Sequence, residues 1–436
     1  MGLDPNVFGI FEGINKEDYV LGLYYMEAES ADILKKVEAI ALEQSTGTWI
    51  AVPSETREIR EKCAAKVLAV HELPSYEDAL PEPPGTRKFI FLIGFPAANI
   101  SRQIPQLLTT LYGNISMSGK IKLLDTFLPG SFVKNFKGPK FGIEGVRKLL
   151  GVKGRPVIVA VLKPCVGMDP KTLGKLLYEL GTAGVDIIKD DELLADPEFC
   201  PVKERLDICL KACKKIRSET GRRVLYAVNI TDNLDVMFKR AESAVKQGAN
   251  CLMVNTYTVS FSAMSALAED PRINVPVLAH PNFAGAIFGS PNYGLTSSLV
   301  LGKLARLSGA DMVIYPSYFG KVPMVKERVI RIWQELTAPF YHLRRVFGAP
   351  SAGLHAGVVD KLMENFGNDV LLSAGGGIQG HPMGVSGGAK SFHQAIKAFQ
   401  SKIPLKEAAK KNKELRAAIE KWGTSDDEGH IFDLTK

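Results

Sequence analysis

The sequence predicts an α/β protein in which a (β/α)8 TIM barrel follows a smaller N-terminal domain. From Pro156 onward, eight apolar, β-branched runs recur, and segments with helical periodicity separate them. The runs are continuously apolar rather than alternating, which is typical of strands buried on both faces of a parallel sheet. Eight such units over about 240 residues match the count and size of this barrel. An open doubly wound sheet is the alternative, but the chain has no dinucleotide-binding glycine motif.

The eight predicted barrel strands follow one another at even spacing. They are PVIVAVLKP (156–164), VDIIKDDE (185–192), RVLYAVNIT (223–231), CLMVNTY (251–257), VPVLAHP (275–281), DMVIYPS (311–317), RRVFGAPSA (344–352) and DVLLSAGGG (369–377). Helical segments between them include 170–184, 204–221, 235–249 and 295–310. This alternation is what a barrel of βα units requires.

The first 145 residues mix strand and helix patterns, which predicts a ferredoxin-like α+β domain. The predicted strands are 19–28, 62–73, 88–96 and 121–129, the helices are 31–45 and 101–113, and 74–88 is a Pro-rich loop. A Gly-rich connection over 138–156 marks the domain boundary, so the barrel domain is predicted over 146–422. An amphipathic helix over 405–423 forms a C-terminal helical extension, and 423–436 is a polar tail.

Composition excludes several functional classes. The 436 residues carry a net charge of +7, which suits an anionic small molecule, but no Lys/Arg block predicts nucleic-acid binding. The six cysteines form no C-x-x-C pair, so a zinc site or disulfide framework is not expected, and a reducing cytoplasm is. No signal peptide and no 18-residue apolar run are present, so we expect a cytoplasmic protein without a membrane span.

The second predicted strand ends in Lys189-Asp190-Asp191-Glu192. Side chains alternate along a strand, so Lys189 and Asp191 share one face, and Glu192 follows where the chain turns. Carboxylates of this kind suit Mg²⁺. A lysine ammonium would repel the cation, so Lys189 must act as a counter-ion or be chemically changed. The alternative interpretation is a buried salt bridge of Lys189 with Asp191 or Glu192.

Polar residues end nearly every predicted barrel strand, which would be costly if they served only packing. They are Lys163, Asn229, Asn255, His280, Lys321, Ser351, His355 and the glycines at 375–377. Barrel enzymes carry their sites at this rim, so we expect one shared site. Glycine N–H groups can bind phosphate, although tight turns also need glycine. Asn229, Asn255 and His355 could instead be structural, and Cys165 is interpreted as a wall residue.

Five motifs identify a resemblance that runs from about Tyr19 to about Phe399. They are GVDIIKDDE (184–192), LKP (162–164), STGTW (45–49), PSAGLH (350–355) and GGGIQGHPMG (375–384). The chain resembles the RuBisCO large subunit, and more closely the RuBisCO-like proteins that do not fix carbon dioxide. The resemblance implies that carbon dioxide carbamylates Lys189, and that this carbamate, Asp191 and Glu192 hold Mg²⁺. It makes Lys163 the proton-abstracting lysine.

The resemblance also assigns roles to residues of other loops. Lys321 falls on the mobile-loop lysine that steadies a carboxylate, and His280 lies beside the substrate. Substrate or phosphate contacts fall on Ser351, Gly375 and Gly376. Residues that the neighbouring subunit lends to the site fall on Thr48, Trp49 and Asn114, with Glu43 nearby. A head-to-tail homodimer with shared active sites is therefore implied, with a higher assembly left open.

Departures from the family pattern indicate that the chain is not a carboxylase of ribulose bisphosphate. Cys165 replaces a second lysine, and Pro281 replaces the arginine that binds the distal phosphate. A second active-site histidine is missing from the sixth strand, which offers only Ile314 or Tyr315. Since proline cannot replace a bidentate guanidinium–phosphate contact, we expect a substrate with one phosphate.

The segments 278–294, 302–317 and 421–423 look most like the methionine-salvage enolase that acts on 2,3-diketo-5-methylthiopentyl-1-phosphate. That enzyme uses a lysine base where this chain has Asn114, and it lacks the loop lysine present here as Lys321. We therefore expect Mg²⁺-dependent enolate chemistry, leaning to decarboxylation or C–C cleavage of a branched 3-oxo sugar-acid phosphate. The alternatives are the salvage enolase, a methylthio-sugar-phosphate isomerase, and a non-catalytic sugar-phosphate binding protein.

Overall fold

The computed structural model describes residues 3–29, 33–47, 52–75 and 85–426. They form two compact units. The first comprises the described residues up to Phe136 together with Phe283–Val300, and the second comprises Lys137–Asn282 and the described residues from Leu301 onward. The predicted fold class is confirmed, because the first unit is an α+β sheet domain and the second an eight-stranded parallel barrel. The domain limits near 145 and 422 stay predictions.

Thirteen strands and eighteen α-helices carry the fold in the described ranges. The strands are β1 (Tyr19–Glu29), β2 (Lys66–Leu73), β3 (Thr86–Pro96), β4 (Ile121–Phe127), β5 (Val157–Val161), β6 (Ile187–Lys189), β7 (Leu225–Asn229), β8 (Cys251–Asn255), β9 (Val277–His280), β10 (Gly294–Leu295), β11 (Met312–Pro316), β12 (Phe347–Ser351) and β13 (Leu371–Ala374). The helices are α1 (Ile33–Glu43), α2 (Arg57–Cys63), α3 (Ile104–Tyr112), α4 (Gly130–Val133), α5 (Gly142–Leu150), α6 (Pro170–Thr182), α7 (Val202–Thr220), α8 (Leu234–Gln247), α9 (Thr256–Val259), α10 (Phe261–Glu269), α11 (Gly285–Phe288), α12 (Ala305–Leu307), α13 (Lys326–Thr337), α14 (Val359–Phe366), α15 (Gly376–Gln379), α16 (Gly384–Gln400), α17 (Leu405–Lys411) and α18 (Lys413–Trp422). A π-helix spans Leu299–Leu304.

The sheet of the first unit has the strand order β10-β4-β1-β3-β2. Strands β1 to β4 pair antiparallel in the order 4-1-3-2, with α1 and α2 between β1 and β2 and α3 between β3 and β4. This is the ferredoxin-like arrangement. The two-residue strand β10 adds a parallel edge to β4, which the sequence did not predict. The predicted Pro-rich loop ends earlier than expected, since β3 begins at Thr86, and 76–84 lies outside the described residues.

The barrel of the second unit has the strand order β12-β11-β9-β8-β7-β6-β5-β13. A bridge between Gly348 and Val370 joins the two end strands. Alternate strand residues such as Val159, Ile187 and Ala227 fill the interior, as expected for a packed barrel core. Helix α5 packs its apolar face against these residues at the amino ends of the strands. The opposite rim, at the carboxyl ends, is therefore left for a site.

The C-terminal extension differs from the predicted single helix over 405–423. It forms two helices, α17 and α18, which break at Asn412. The Asn412 backbone is extended, and its side-chain amide donates to the carbonyl of Ala408 at 2.8 Å. Its own carbonyl accepts from the N–H of Arg416 at 2.9 Å, so one asparagine ends one helix and starts the next.

Within the parts of the chain that the structure describes, no helix combines the length and apolar character needed to span a bilayer.

Candidate active site

The end of β6 brings Lys189, Asp191 and Glu192 together at the carboxyl rim of the barrel. Lys189 is 0% exposed and Asp191 is 1% exposed, so both polar groups need partners inside the protein. The Lys189 Nζ atom donates to Asp190 O at 2.8 Å and lies 3.4 Å from Glu192 Oε2. The salt bridge of Lys189 with Glu192 is thus present in the unmodified chain, whereas Asp191 has another partner.

That partner is Lys163, which follows the end of the neighbouring strand β5. Its Nζ atom lies 2.5 Å from Asp191 Oδ2 and 3.1 Å from Cys165 Sγ. The Lys163 backbone N–H donates to Gln379 Oε1 at 3.0 Å, and the Gln379 amide also donates to the Val161 carbonyl. Gln379, which lies in the GGGIQG motif but received no role from the sequence, therefore fixes the end of β5.

Burial and charge shift the protonation of these groups in different directions. Burial lowers the pKa of Lys189, against the opposing charges of Glu192 and Asp191. Burial also disfavours charge on Lys163, but hydrogen bonds to Asp191 and Cys165 outweigh it and raise the pKa of Lys163. For Glu192, burial is outweighed by the Lys189 charge and nearby hydrogen bonds, so the pKa of Glu192 is lowered. The lowered pKa of Lys189 increases the share of its amine that is neutral, and this is the form that reacts with carbon dioxide.

His280 ends β9 and faces the same carboxylate. Its Nδ1 accepts from the Asn282 N–H at 3.3 Å, which leaves Nε2 as the protonated nitrogen, 3.3 Å from Glu192 Oε2. Burial, and after it the Lys189 charge, holds the pKa of His280 well below its usual range. His280 is therefore a neutral imidazole that donates toward Glu192.

Asn229 and Asn255, which the sequence left between structural and functional roles, both support Glu192. Their side-chain amides donate to the Glu192 carbonyl at 3.2 and 3.0 Å. The Oδ1 atom of Asn255 is buried without a hydrogen-bond partner in the described structure. Such an acceptor oxygen beside Glu192 is one that a bound water or ligand would satisfy.

The residues present fit a hard cation only if Lys189 is modified. Among the residues 3–29, 33–47, 52–75 and 85–426, no three His, Cys, Asp or Glu side chains are grouped so as to hold a metal ion. Asp191 and Glu192 supply two carboxylates at this place, and a carbamate on Lys189 would add a third oxygen ligand. The unsatisfied oxygen of Asn255 and the oxygen-rich donor set are compatible with Mg²⁺.

The loop after β11 carries Lys321, which is exposed. Its backbone N–H donates to the Ala352 carbonyl at 2.8 Å, so the loop rests on the segment after β12. Gly320 and Gly353 meet there so closely that a Cβ on Gly353 would lie 2.8 Å from the Gly320 Cα. Ser351, at the end of β12, donates to the Tyr315 carbonyl at 3.1 Å. The strand ends thus bring Lys321 and Ser351 to neighbouring loops.

The glycines after β13 differ in their surroundings. A Cβ on Gly376 would meet nothing within 4 Å, whereas one on Gly377 would lie 1.9 Å from the Leu354 carbonyl oxygen. A Cβ on Gly375 would lie 3.2 Å from the Cε atom of Lys163. Gly377 is therefore required by close backbone packing, and Gly376 leaves open space. Phosphate binding by Gly375 and Gly376 stays a prediction.

His355 lies in the loop after β12 and packs against an aromatic side chain. Its ring centroid is 5.8 Å from that of Trp422, which also lies 6.1 Å from the ring of His381. The Ser425 N–H donates to the Gly357 carbonyl at 3.1 Å. The end of α18 thus packs on the loops after β12 and β13, which gives His355 a structural contact.

Glu43 and Asn114, two of the residues expected to lie at a site shared with a neighbouring subunit, belong to the first unit. Asn114 donates to Glu43 Oε1 at 3.1 Å, so these two predicted residues do contact each other. Thr48 and Trp49 lie outside the described residues. Their predicted role in a shared site stays a prediction.

Two family models match the chain. The catalytic domain of the ribulose bisphosphate carboxylase large chain matches residues 142–422, and the N-terminal domain of that large chain matches 12–132. The resemblance drawn from the motifs is confirmed by these matches.

Two related proteins and one solved structure are similar to this chain over most of its length. A ribulose bisphosphate carboxylase-like protein of Archaeoglobus fulgidus is 47% identical over 411 residues, covering 94% of each chain. A 2,3-diketo-5-methylthiopentyl-1-phosphate enolase of Geobacillus kaustophilus is 38% identical over 400 residues, covering 92% of this chain and 97% of that one. The crystal structure of a rubisco-like protein (MtnW) from Alicyclobacillus acidocaldarius superposes with a TM-score of 0.86 at 38% identity, covering 93% of this chain and 100% of that one.

Proposed function

The chain belongs to the ribulose bisphosphate carboxylase large-chain family, and we propose that it is a Mg²⁺-dependent enzyme that forms an enolate from a mono-phosphorylated keto compound. The convergence of Lys163, Lys189, Asp191 and Glu192 at two neighbouring strand ends carries this proposal. A fully buried lysine, Lys189, and a half-buried one, Lys163, each paired with a carboxylate, are costly to fold and suit a site whose charges are used.

The proposed holder of the metal is Lys189 as a carbamate, together with Asp191 and Glu192. Bound Mg²⁺ would act as a Lewis acid that stabilises negative charge on a substrate oxygen. Burial lowers the pKa of Lys189 and so increases the share of its amine that is neutral, which supports reaction with carbon dioxide. Lys163, whose Nζ atom lies 2.5 Å from Asp191 Oδ2 beside the proposed metal ligands, is the proposed group that moves a proton at the substrate, and the Lys189 carbamate is the alternative base.

Lys321 favours decarboxylation or C–C cleavage of a branched 3-oxo sugar-acid phosphate. In decarboxylation, the bond between the α-carbon and the carboxyl carbon breaks, and its electron pair stays on the α-carbon as the enolate. Carbon dioxide leaves, and Lys163 supplies the proton that restores the ketone. A cation on the exposed loop after β11 would steady the carboxylate until it departs.

The second candidate is the 2,3-diketo-5-methylthiopentyl-1-phosphate enolase, a name that relatives at 38% identity carry. Two positions argue against assigning that activity to this chain. Asn114 stands where the resemblance to the salvage enolase places a lysine base, and Lys321 stands where that enzyme has no loop lysine. A methylthio-sugar-phosphate isomerase would need the same enolate. A non-catalytic sugar-phosphate binder would not need two lysines paired with the carboxylates.

Incubation with Mg²⁺ and bicarbonate in D₂O, followed by proton and phosphorus NMR, tests the two candidates. Loss of carboxylate from a branched 3-oxo sugar-acid phosphate supports decarboxylation. Conversion of the diketo-methylthiopentyl phosphate alone would make the chain a salvage enolase and refute the role of Lys321. A binder would exchange no substrate proton with either compound.

The proposed assembly is a homodimer in which Asn114, with Thr48 and Trp49, completes the site of the partner subunit. Co-expression of an Asn114 variant with a Lys189 variant tests it. If the site is shared, random pairing restores about a quarter of wild-type activity, because mixed dimers keep one intact site. Activity no higher than that of either variant alone would exclude a shared site.

A further inference from the structure

Asp190 lies between Lys189 and Asp191 in sequence but faces away from the site. It is 0% exposed, and its carboxylate accepts from three donors. These are Arg205 Nε at 3.0 Å, the Asn229 N–H at 2.9 Å and the Tyr226 hydroxyl. A carboxylate with three donors inside the protein is held in one orientation, because any rotation leaves a buried group unsatisfied.

Arg205, in the first turns of α7, is also 0% exposed and ties several backbone segments to Asp190. Its guanidinium donates to the carbonyls of Cys200 at 2.7 Å, Ala195 at 2.5 Å and Leu194 at 3.3 Å. It also lies 3.3 Å from the Asn229 carbonyl. The irregular segment that follows Glu192 is thus fastened to Asp190 and to the end of β7 by one side chain.

We propose that Asp190, Arg205 and Tyr226 form a buried positioning cluster that sets the geometry of Lys189, Asp191 and Glu192 for metal binding. The inference rests on the proposed function. Asp190 is bonded to both neighbours through the backbone, so fixing its carboxylate fixes where Lys189 and Asp191 leave the strand. Net stability is a weak reason for the cluster, because a buried ion pair is often no more stabilising than apolar residues of similar size. Ligand positions for Mg²⁺ must hold to a few tenths of an ångström.

The chain offers a matched control at the other end of the same strand. Asp186, just before β6, is 1% exposed and accepts from Arg155 at 2.7 and 2.8 Å and from Arg222 at 3.0 Å. It also accepts from the Ile158 N–H at 2.9 Å. This second cluster has the same chemistry but lies at the amino end of β6, away from the proposed ligands. Weakening it should cost stability without moving them.

The test compares Arg205→Lys and Tyr226→Phe with the control Arg155→Lys in the full-length protein. The first readout is the ¹³C NMR signal of the lysine carbamate, titrated with Mg²⁺ at fixed ¹³C-bicarbonate. The second is amide hydrogen exchange of residues 191–195. For Arg205→Lys we expect the Mg²⁺ concentration at half-saturation to rise tenfold or more, and exchange of 191–195 to accelerate. Tyr226→Phe should do the same to a smaller extent, and Arg155→Lys should stay within twofold of wild type.

Each outcome decides between specific alternatives. If both cluster variants bind Mg²⁺ as the control does, the cluster is only structural and the inference is wrong. Faster exchange with unchanged Mg²⁺ binding would also overturn the positioning role. If Arg205→Lys does not fold, Tyr226→Phe, which removes one hydroxyl, decides alone. If the wild type forms no Mg²⁺-dependent carbamate, the proposed metal site fails and the positioning role fails with it, whereas a wild-type signal with unaffected variants refutes the cluster only.

Discussion

The Nζ atom of Lys163 and the Oδ2 atom of Asp191 lie 2.5 Å apart, and this contact joins a proposed base to a proposed metal ligand. Lys163 follows β5 and Asp191 follows β6, two strands that pair in parallel. Lys189 pairs with a different carboxylate, that of Glu192, because its Nζ atom lies 3.4 Å from Glu192 Oε2. The two lysines therefore occupy different places in the same charge network, and their loss should have different consequences.

Replacing Lys163 with Met should abolish chemistry while keeping the metal site. We expect substrate proton exchange in D₂O to fall by about 10²- to 10⁴-fold, the usual contribution of a general base. The Mg²⁺-dependent ¹³C carbamate signal should remain, because Lys163 is not a proposed ligand. In Lys189→Met both the exchange and the carbamate signal should disappear. Mg²⁺-dependent turnover by Lys189→Met would show that no carbamate is needed.

Replacing Lys321 with Ser should separate enolisation from decarboxylation. Proton exchange should stay within about twofold, whereas carbon dioxide release should fall by roughly 10²-fold, the cost of losing one charge-stabilising group in a reacting site. The control is Lys153→Ser, an exposed lysine before β5 at the opposite end of the barrel, which should change neither rate. Equal losses of exchange and release in Lys321→Ser would count against its assigned role.

Two adjacent glycines should respond differently to alanine. Gly377→Ala would place a Cβ 1.9 Å from the Leu354 carbonyl oxygen, so we expect about 1–3 kcal/mol of lost folding free energy, measured by urea unfolding. Gly376→Ala meets no atom within 4 Å, so its stability should stay within about 0.5 kcal/mol of wild type. If the phosphate occupies the open space beside Gly376, the added methyl group should intrude on it, and the substrate KM should rise about tenfold, equal to roughly 1.4 kcal/mol. An unchanged KM would remove Gly376 from the phosphate site.

Introducing a lysine at Asn114 tests the second candidate function. Asn114 donates to Glu43 at 3.1 Å, and Asn114→Lys keeps a donor near this carboxylate while adding a possible base. We expect it to raise proton exchange on the diketo-methylthiopentyl phosphate, whereas Asn114→Ala, which removes the contact alone, should not. A wild-type protein already faster than Asn114→Lys on that compound would mean that the base lies elsewhere in the site.

Metal removal should affect stability as well as activity. Chelation with EDTA should abolish proton exchange, and added Mg²⁺ with bicarbonate should restore it. A ligand present at 100 times its Kd adds about 2.7 kcal/mol to the free energy of unfolding, so the melting temperature should rise on adding both. Lys189→Met provides the control and should show no rise. A rise of equal size in that variant would place the Mg²⁺ at another site.

Much of the fold could be predicted because local patterns repeat along the chain. Each of the eight apolar runs became a barrel strand. Period-two alternation predicted Lys189 and Asp191 on one face, although β6 itself ends at Lys189. The boundaries were less certain, since β3 begins at Thr86 and the predicted C-terminal helix breaks at Asn412. A single asparagine inside a long amphipathic pattern does not by itself predict a break in the helix.

Contacts between distant residues could not be predicted in the same way. Segment 283–300 joins the first unit because Gly294 and Leu295 pair with β4, more than 160 positions earlier in the chain. Gln379 meets the backbone of Lys163 across 216 positions, and nothing near either residue indicates it. The contacts of Asp190 could not be predicted either. In the sequence it is one of three consecutive acidic residues, and its partners Arg205 and Tyr226 lie elsewhere in the chain.

The sequence by itself determined the barrel, the family, and which residues reach the carboxyl rim, because these follow from residue types at fixed spacings. Only the tertiary structure decided the pairing inside the site: Lys163 with Asp191, Lys189 and His280 with Glu192, and Asp190 with Arg205. Barrel closure brings strands from distant parts of the chain together, and in the buried interior each charge must take the nearest opposite charge that the packing allows. That choice depends on distances that residue order does not contain.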